Sequence, residues 1–430
     1  MAEPESPAPG AAGTESDPNS VGPTSAHDRP IASVLRSMVD AMTPVEGSEA
    51  VPLVAAPGRI LAADLKSPID VPSCDNSAMD GYALRGSELA QGRATELAVV
   101  GLALAGRPYA GPCPPGTAVR IMTGAAMPTG LDTVVPQESV EVDDDRVRIP
   151  PGQRAGQHRR RAGEDLPAGG LALPAGRRLS AADIGLAASL GAGALEVRRR
   201  LRVAFFSTGD ELQEIGKPLG IGRIYNSNRY VVRAMLDRLG VEAIDLGVVG
   251  DQPEALEATV REAAGLAEAI ISTGGVSVGE ADHTRAVMAR LGRVEFWNIA
   301  MRPGRPMAFG RIGKAWYFGL PGNPVAVMAS FLFLARPALL ALAGALQTPP
   351  VYARARALRP LRKRVGRTEY QRGFVEAGPD GTMQVDLTGS QGSGVLSSMS
   401  RANCMVVLHH DQGPVAAGEW VDCLPFEGLL

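Results

Sequence analysis

The residues best suited to chemistry lie in one stretch, 269–284, where an apolar run gives way to glycines, hydroxyls and acids. Ala269 to Ile271 is typical of a buried strand, and Asp282 begins a helical pattern. Glycine lets a backbone approach a ligand closely, and free N–H groups at a helix start favour negative charge. The stretch therefore suits an anion, with Asp282 serving a metal or a ligand hydroxyl. A tight strand-to-helix turn with Asp282 as an ordinary N-cap explains the same residues equally well.

Similar polar turns follow the other predicted strands of this region. Strands alternate with helices from about residue 201 onward, which predicts a parallel sheet. Ligands of such sheets bind beyond the carboxyl ends of the strands. The turns at those ends are Ser207–Glu211, Gly250-Asp251, Ser272–Asp282 and Gly319–Asn323. Because they share one edge, we expect a ligand site there. No GxGxxG follows the first strand, so a nicotinamide dinucleotide is not expected.

Three further places carry polar residues that suit a ligand, and each has an ordinary explanation too. Asp75 lies in a loop of Asn, Ser and Gly, where such side chains often only stabilise a turn. Asp165 follows a run of arginines that is either a solvated face or a phosphate-binding segment. Arg372 and Ser393 are candidates for an oxyanion pair, or are surface residues.

Composition narrows the class of protein. The 430 residues suffice for about two to four domains. Hydrophobic content of 45%, charged content of 21% and a net charge of −3 indicate a globular protein without nucleic acid as its main partner. The four cysteines form no metal-binding pattern, so reduced thiols in a cytoplasm are expected. The N-terminus has no signal-peptide pattern. Arg336 and Pro337 interrupt the apolar stretch Val325–Leu346, which therefore predicts a buried helix that bends or ends there, not a membrane span.

Several motifs occur in one order and carry a resemblance to a known family. They are Asp75–Tyr82 (DNSAMDGY), Ser207–Leu212 (STGDEL), Gly274–Gly279 (GGVSVG), Pro303–Pro306 (PGRP) and Gly319–Pro324 (GLPGNP). Over nearly everything from about residue 30 to 430, the chain resembles the molybdopterin molybdenumtransferase family, which includes the C-terminal E domain of gephyrin.

The resemblance implies a multidomain α/β fold. The expected centre is a molybdopterin-binding three-layer α/β domain, residues 181–347, with a mixed, mostly parallel sheet. Residues 30–52 and 150–180 would form an N-terminal domain of two segments, with a β-rich domain inserted at 53–149. A C-terminal β-barrel would cover 348–430, and residues 1–29 would be a disordered tail. The resemblance also implies a homodimer in which the partner subunit completes each active site.

The implied reaction takes adenylylated molybdopterin and molybdate as substrates, requires Mg²⁺, and releases AMP and molybdenum cofactor. Such hydrolysis needs carboxylates for Mg²⁺ and cations or N–H groups for phosphate, without a covalent nucleophile. By similarity, the catalytic residues are Asp75, Asp165, Glu211, Asp251, Asp282, Arg302 and Arg305, of which Glu211, Asp251 and Asp282 would bind the metal. The expected ligand-binding residues are Thr123, Ser207, Gly209, Gly274, Gly275, Ser277, Gly279, Pro303, Gly304, Pro321, Gly322, Asn323, Arg372 and Ser393. Simple turn capping is favoured for Asp80 and Asp210.

One segment departs from the family pattern, in which lysine is common at three positions. This chain has Asn298, Arg302 and Arg305 there. Arginine keeps the charge and grips an oxyanion through a planar fork, whereas Asn298 removes a charge. The alternatives to a molybdate-inserting transferase are a tungstate-preferring paralogue, a non-catalytic molybdopterin carrier or chaperone, and a scaffold. Expected protein partners are molybdopterin adenylyltransferase and molybdoenzyme apoproteins, with no nucleic acid and no membrane.

Overall fold

The computed structural model describes residues 28–275, 281–427 and 429, with only the backbone given for 281–283. The chain forms two compact units. The β-rich unit is Gly47–Arg199. The second unit, which holds an α/β region and a C-terminal β-barrel, contains the described residues up to Glu46 together with those from Arg200 onward. Helix α1 (Ile31–Ala41) belongs to the latter, and its apolar spacing buries Val34 and Met38.

The β-rich unit is built from short strands and one helix. Its elements are β1 (Ser48–Pro52), β2 (Leu65–Lys66), β3 (Asn76–Ser77), β4 (Gly81–Leu84), β5 (Thr95–Ala103), β6 (Thr117–Ile121), β7 (Thr133–Pro136), β8 (Glu141–Asp143), β9 (Arg146–Ile149), β10 (Arg159–Arg160), β11 (Leu171–Leu173), α2 (Ala181–Ser189) and β12 (Ala194–Arg198). Six strands form one sheet in the order β7-β4-β6-β5-β9-β8, and three antiparallel pairs, β1 with β12, β2 with β11 and β3 with β10, lie outside it. A reciprocal capping box of Ser180 and Asp183 starts α2.

The α/β region of the other unit follows the predicted alternation of strands and helices. Its elements are β13 (Arg202–Thr208), β14 (Leu212–Gln213), β15 (Ile224–Tyr225), α3 (Ser227–Leu239), β16 (Glu242–Val249), α4 (Pro253–Leu266), β17 (Ala269–Thr273), α5 (Ala281–Leu291), β18 (Gly292–Asn298), β19 (Met301–Arg302), β20 (Pro306–Ile312), β21 (Ala315–Leu320), α6 (Pro324–Ser330) and α7 (Arg336–Leu342). Six strands form a sheet in the order β16-β13-β17-β21-β20-β18. The first three pairings in this order are parallel and the last two are antiparallel, so only β20 runs against the other strands, as predicted for a mixed, mostly parallel sheet.

Helices cover both faces of this sheet. Apolar residues of α4 and α5 form a core with one face, including Val260, Val287 and Ile270, while α3 packs with β13, β16 and α6. Because both faces are covered, all five residues of β17 are buried, which explains why its sequence begins with the apolar run Ala269–Ile271.

The apolar stretch near Arg336 forms one buried helix with a local irregularity. A π-helical turn, Phe331–Ala335, joins α6 to α7, and Pro337 lies in the first turn of α7. Among the described residues, Pro324–Leu342 is the one helix long and apolar enough to cross a membrane, but 67% of its apolar window is buried inside the protein. It is therefore a core helix of this fold.

The C-terminal strands close into a barrel. They are β22 (Ala353–Ala357), β23 (Thr368–Ala377), β24 (Met383–Leu387), β25 (Cys404–Leu408) and β26 (Trp420–Pro425), with a short helix, α8 (Leu396–Ser400), before β25. Their pairing order β23-β24-β22-β26-β25 returns to β23, which gives a closed five-stranded barrel. Strand β19 adds to the barrel by pairing in parallel with β23.

Candidate functional site

The carboxyl ends of the central strands are joined by a chain of buried hydroxyl and amide groups. The Thr273 hydroxyl, at the end of β17, donates to the Ser207 hydroxyl of β13 at 3.0 Å. Ser207 in turn donates to Oδ1 of Asn226 at 3.2 Å. All three side chains are at least nine-tenths buried. The predicted site residue Ser207 therefore lies at the mouth of the sheet, where it ties two strands to the start of α3.

Glycine is required at three of the predicted positions around this mouth. Gly209, Gly274 and Gly275 have φ angles of 142°, 93° and 66°, which disfavour residues with a Cβ. A Cβ on Gly209 would lie 2.4 Å from a carboxylate oxygen of Glu211, and one on Gly274 would lie 2.6 Å from the Thr208 carbonyl. These turns therefore have backbone without side chains at the positions of the three glycines. Ser277 and Gly279 lie outside the described residues.

The acidic residues of this edge lie on two neighbouring turns. The backbone N–H of Asp210 donates to the Asp251 carboxylate at 3.2 Å, and the N–H of Asp251 donates to the Asp210 carboxylate at 3.3 Å. This reciprocal capping agrees with the capping role favoured for Asp210, and it brings Glu211, the next residue, to the turn that carries Asp251. Within the described residues no group of three or more His, Cys, Asp or Glu side chains is placed to hold a metal. Asp282 lies in the first turn of α5, but its side chain is not described.

The turn after β21 connects the sheet to the barrel. Pro321 is buried, while Gly322 and Asn323 are exposed. The side chain of Asn323 donates to the Ser393 hydroxyl at 3.0 Å, and the backbone N–H of Val325 donates to the Ser393 carbonyl at 3.0 Å. The predicted residues Asn323 and Ser393 are therefore neighbours, although 70 positions separate them in sequence.

Arg372, on β23, holds the loop that carries Ser393. Its side chain is fully buried. The guanidinium donates to the carbonyls of Ser390, Gln391 and Gly392 at 3.0, 3.1 and 2.9 Å, and its Nε donates to the Ser398 hydroxyl at 3.0 Å. Arg372 is thus a positioning residue for the loop, and it is not the surface residue that the sequence left open.

Arg302 places a second positive charge beside this guanidinium. Burial first, and then the charge of Arg302, lower the pKa of Arg372 to about 10. Within the part of the chain that the structure describes, neither arginine forms an ion pair with a carboxylate. Arg302, which has no carboxylate partner among the described residues, is the candidate cation for an anion, and buried Arg372 adds positive charge near it.

Arg305, the third cation predicted for the oxyanion, has a protein partner. It pairs with Asp28 at 2.9 Å across 277 positions of sequence. Gly304 lies beside it with a φ of 100°, and a Cβ there would lie 2.5 Å from the Ser330 hydroxyl. Pro303 is buried after a cis peptide bond, and Asn298 is exposed at the end of β18. Of the two arginines in this loop, Arg305 is paired with Asp28, whereas Arg302 forms no ion pair with the described residues.

Asp75 and Asp165 lie in the β-rich unit, on neighbouring segments. Asp75 accepts a hydrogen bond from the Ala162 N–H at 2.9 Å and lies 3.6 Å from the Arg159 guanidinium. The N–H of Asp165 donates to the Val71 carbonyl at 3.0 Å, in the strand-like segment that leads to Asp75. The two predicted acids are therefore brought to one part of that unit. Their place beside Glu211 and Asp251 remains a prediction.

Thr123, another predicted ligand residue, is bound to Asp80. Its backbone N–H and its hydroxyl both donate to one oxygen of the Asp80 carboxylate at 2.7 Å. These bonds hold the pKa of Asp80 below its ordinary value. Asp80 thus caps a turn, as expected. The role of Thr123 toward a ligand stays a prediction.

Sequence reasoning missed three side chains that the structure places around the site. Ser398 accepts from buried Arg372, and Asn226 accepts from Ser207. Asn228 donates to the Gly322 carbonyl at 2.6 Å. The segment Asn226-Ser227-Asn228 directly precedes a strongly periodic helix, and its two amides were a signal that could have been read as more than an N-cap.

The fold and these strand-end turns define a class: a multidomain α/β protein with glycine-bearing turns at the mouth of a mostly parallel sheet. Three family models match the chain in order. The MoeA N-terminal region (domain I and II) matches residues 29–191, the probable molybdopterin binding domain matches 204–341, and the MoeA C-terminal region (domain IV) matches 354–426.

Similar proteins of known name support the same grouping. The chain is 44% identical over 381 residues to the molybdopterin molybdenumtransferase of Haemophilus influenzae, covering 88% of this chain and 94% of that protein. It is 37% identical over 400 residues to that of Nostoc sp., covering 91% and 92%. The crystal structure of the molybdopterin biosynthesis moeA protein from Pyrococcus horikoshii OT3 matches with a TM-score of 0.77 and 28% identity, over 92% of this chain and all of that one. The chain belongs to the molybdopterin molybdenumtransferase family.

Proposed function

We propose that this chain inserts molybdate into adenylylated molybdopterin and releases AMP and molybdenum cofactor. Water attacks one phosphorus of the phosphoric anhydride, and the bond from that phosphorus to the bridging oxygen breaks. AMP leaves with the water oxygen if its own phosphorus is attacked, and with the bridging oxygen if the pterin phosphorus is attacked. The dithiolene of the pterin is itself the ligand of molybdenum, so the protein needs no cysteine for the metal. Names of relatives at 44% and 37% identity support this proposal.

One observation carries the proposal: a path of neighbouring residues joins the cation proposed for molybdate to the mouth of the sheet. We propose Arg302 as the molybdate-binding cation, and its charge acts on buried Arg372, which holds the loop 390–392. The next residue, Ser393, bonds to Asn323, beside the turn at Gly322 that approaches Gly274. Molybdate at Arg302 would therefore lie on the same framework as a pterin phosphate at the glycine turns.

The acids near this path suit Mg²⁺. Carboxylate oxygens are hard ligands, and Mg²⁺ typically takes one or two of them together with phosphate oxygens and water. Glu211 and Asp251 lie on turns linked by hydrogen bonds between Asp210 and Asp251, and we propose them, with Asp282, as the residues that would hold the ion. When bound, the ion would neutralise charge on the anhydride. Asp75 and Asp165 are proposed to act from the β-rich unit.

The experiment measures AMP release from adenylylated molybdopterin with Mg²⁺, in parallel with molybdate and with tungstate. A transferase releases AMP with molybdate, and Asp282→Ala abolishes the release. Arg233→Lys is a matched control, because Arg233 lies on the exposed side of α3 and pairs only with Asp237 among the described residues. Binding without AMP release identifies a carrier, and faster release with tungstate identifies an altered oxyanion preference, which the exposed Asn298 makes worth testing.

The proposal extends to the protein's setting. We propose a homodimer in which the partner subunit completes the site, located in the cytoplasm, with molybdopterin adenylyltransferase and molybdoenzyme apoproteins as its partners. Sizing at several dilutions tests the dimer, and an assembly that stays larger than a dimer at low concentration would support a scaffold instead.

A further inference from the structure

Two asparagines at the start of α3 each leave one buried polar atom without a hydrogen-bond partner. Asn226 is the N-cap residue of α3 and is 4% exposed. Its Oδ1 accepts from the backbone N–H of Arg229 at 3.1 Å and from the Ser207 hydroxyl at 3.2 Å. A backbone N–H only donates, so the oxygen must face it and the amide cannot be flipped. The Asn226 Nδ2 is therefore a buried donor that has no partner in the described structure.

Asn228 is the complementary case. Its Nδ2 donates to the backbone carbonyl of Gly322 at 2.6 Å. A carbonyl only accepts, so this amide too has one orientation. The Asn228 Oδ1 is left as a buried acceptor, again with no partner among the residues described. One unpaired donor and one unpaired acceptor thus lie two positions apart on a single helical turn.

Both amides stand where the strands of the sheet end. Asn226 is bonded to Ser207 at the end of β13, and Asn228 is bonded to the turn that follows β21. A Cβ on Gly322 would approach the Gly274 Cα to 3.9 Å, so this turn also borders the end of β17. The unpaired atoms therefore belong to the mouth of the sheet, next to the glycine turns.

Buried donors and acceptors without partners are unfavourable, and a native structure keeps them where water or a ligand supplies the missing bonds. We propose that the Asn226 Nδ2 and the Asn228 Oδ1 recognise the edge of a planar nitrogen heterocycle that presents an acceptor next to a donor. This inference rests on the proposed function, in which two such rings reach the site. The aminopyrimidinone ring of a pterin has this edge, and so does the adenine of AMP.

The central variant is Asn226→Asp, which replaces the unpaired donor with an acceptor and adds a negative charge. Aspartate is as good an N-cap as asparagine, so the bonds from Arg229 and Ser207 are kept while the donor becomes an acceptor. Binding of AMP and of neopterin, a pterin without a dithiolene, is measured separately by calorimetry and by pterin fluorescence. We expect the affinity for one of the two to fall about tenfold or more and the other to change little, which identifies the ring. Asn228→Ala should weaken the same ligand.

Two further variants separate recognition from helix capping. Asn226→Ser keeps a capping oxygen, removes the donor and adds no charge, so it should weaken the same ligand as Asn226→Asp. Ser180→Ala removes the N-cap of α2 in the β-rich unit and should lower the melting temperature while leaving both affinities unchanged.

Unchanged affinities for both ligands in folded Asn226→Asp and Asn226→Ser would overturn the inference, as would a wild-type protein that binds neither ring. Its failure is distinct from failure of the proposed function. If the wild-type protein binds a ring through Asn226 but releases no AMP, the proposed transferase activity is refuted and the role of the asparagines stands. If it releases AMP and ring binding does not depend on the asparagines, only their proposed role in ring recognition is refuted.

Discussion

Arg372→Lys should make oxyanion binding depend on pH near neutrality. Burial, followed by repulsion from Arg302, lowers the pKa of Arg372 to about 10, so the wild-type residue stays cationic throughout the neutral range. A lysine begins near 10.4 and meets a burial penalty of similar size, which brings its pKa to about 8. The variant is then about nine-tenths charged at pH 7 and about one-tenth charged at pH 9.

Only the charged lysine attracts molybdate, and molybdate keeps the same charge across this range. The affinity of the variant should therefore fall about tenfold between pH 7 and pH 9, while that of the wild type changes little. Calorimetric titration with molybdate at several pH values measures this. Arg233→Lys, on the exposed side of α3, is the matched control and should follow the wild type.

A parallel pH profile for Arg372→Lys and wild type would refute the reasoning, because the buried charge would then contribute nothing to the oxyanion. Lysine also has fewer N–H groups than the guanidinium that holds the loop 390–392. Thermal unfolding of the variant at each pH shows whether the protein remains folded. It therefore distinguishes binding weakened by unfolding from binding weakened because the lysine is neutral.

Two other changes test the backbone and the charges. Gly304→Ala should lower the free energy of unfolding by about 1–3 kcal/mol and weaken molybdate binding, because its φ is 100° and the new Cβ would lie 2.5 Å from the Ser330 hydroxyl; Gly313→Ala, with a φ of 57° and open space around it, measures the φ cost alone. Burial alone would raise the pKa of Asp183, but hydrogen bonds from Arg177 and the capping box lower it on balance. The stability it adds is thus present above pH 4 and is lost as pH falls through the lowered pKa, so urea unfolding of Asp183→Asn should depend less on pH in acid than that of wild type.

The sequence was enough to predict the sheet and the turns at the ends of its strands. Continuous apolar runs such as Ala269–Ile271 occur where both faces of a strand are covered, and the structure extends that strand to Thr273. Glycines followed these strands because the turns need positive φ angles, which a sequence signals directly. Local periodicity and turn chemistry therefore located the strand ends, with Ser207 and Gly274 among them.

What the sequence could not give depends on contacts between distant positions. The pair Arg305–Asp28 spans 277 positions, and no local pattern predicts it. Arg372 was a candidate for an oxyanion contact, but its bonds to the 390–392 loop arise only when β23 closes the barrel. The unpaired atoms of Asn226 and Asn228 follow from hydrogen-bond orientation, which requires coordinates.

Strand β19, which carries Arg302, pairs with strand β23 of the C-terminal barrel. Met301 and Arg302 align with Thr368 and Glu369 of the barrel, and the Thr368 N–H reaches the Ala300 carbonyl. Ending the chain before Ala353 would remove this pairing and leave Arg302 without its neighbouring strand. The barrel therefore helps to hold in place a segment that comes from the α/β region.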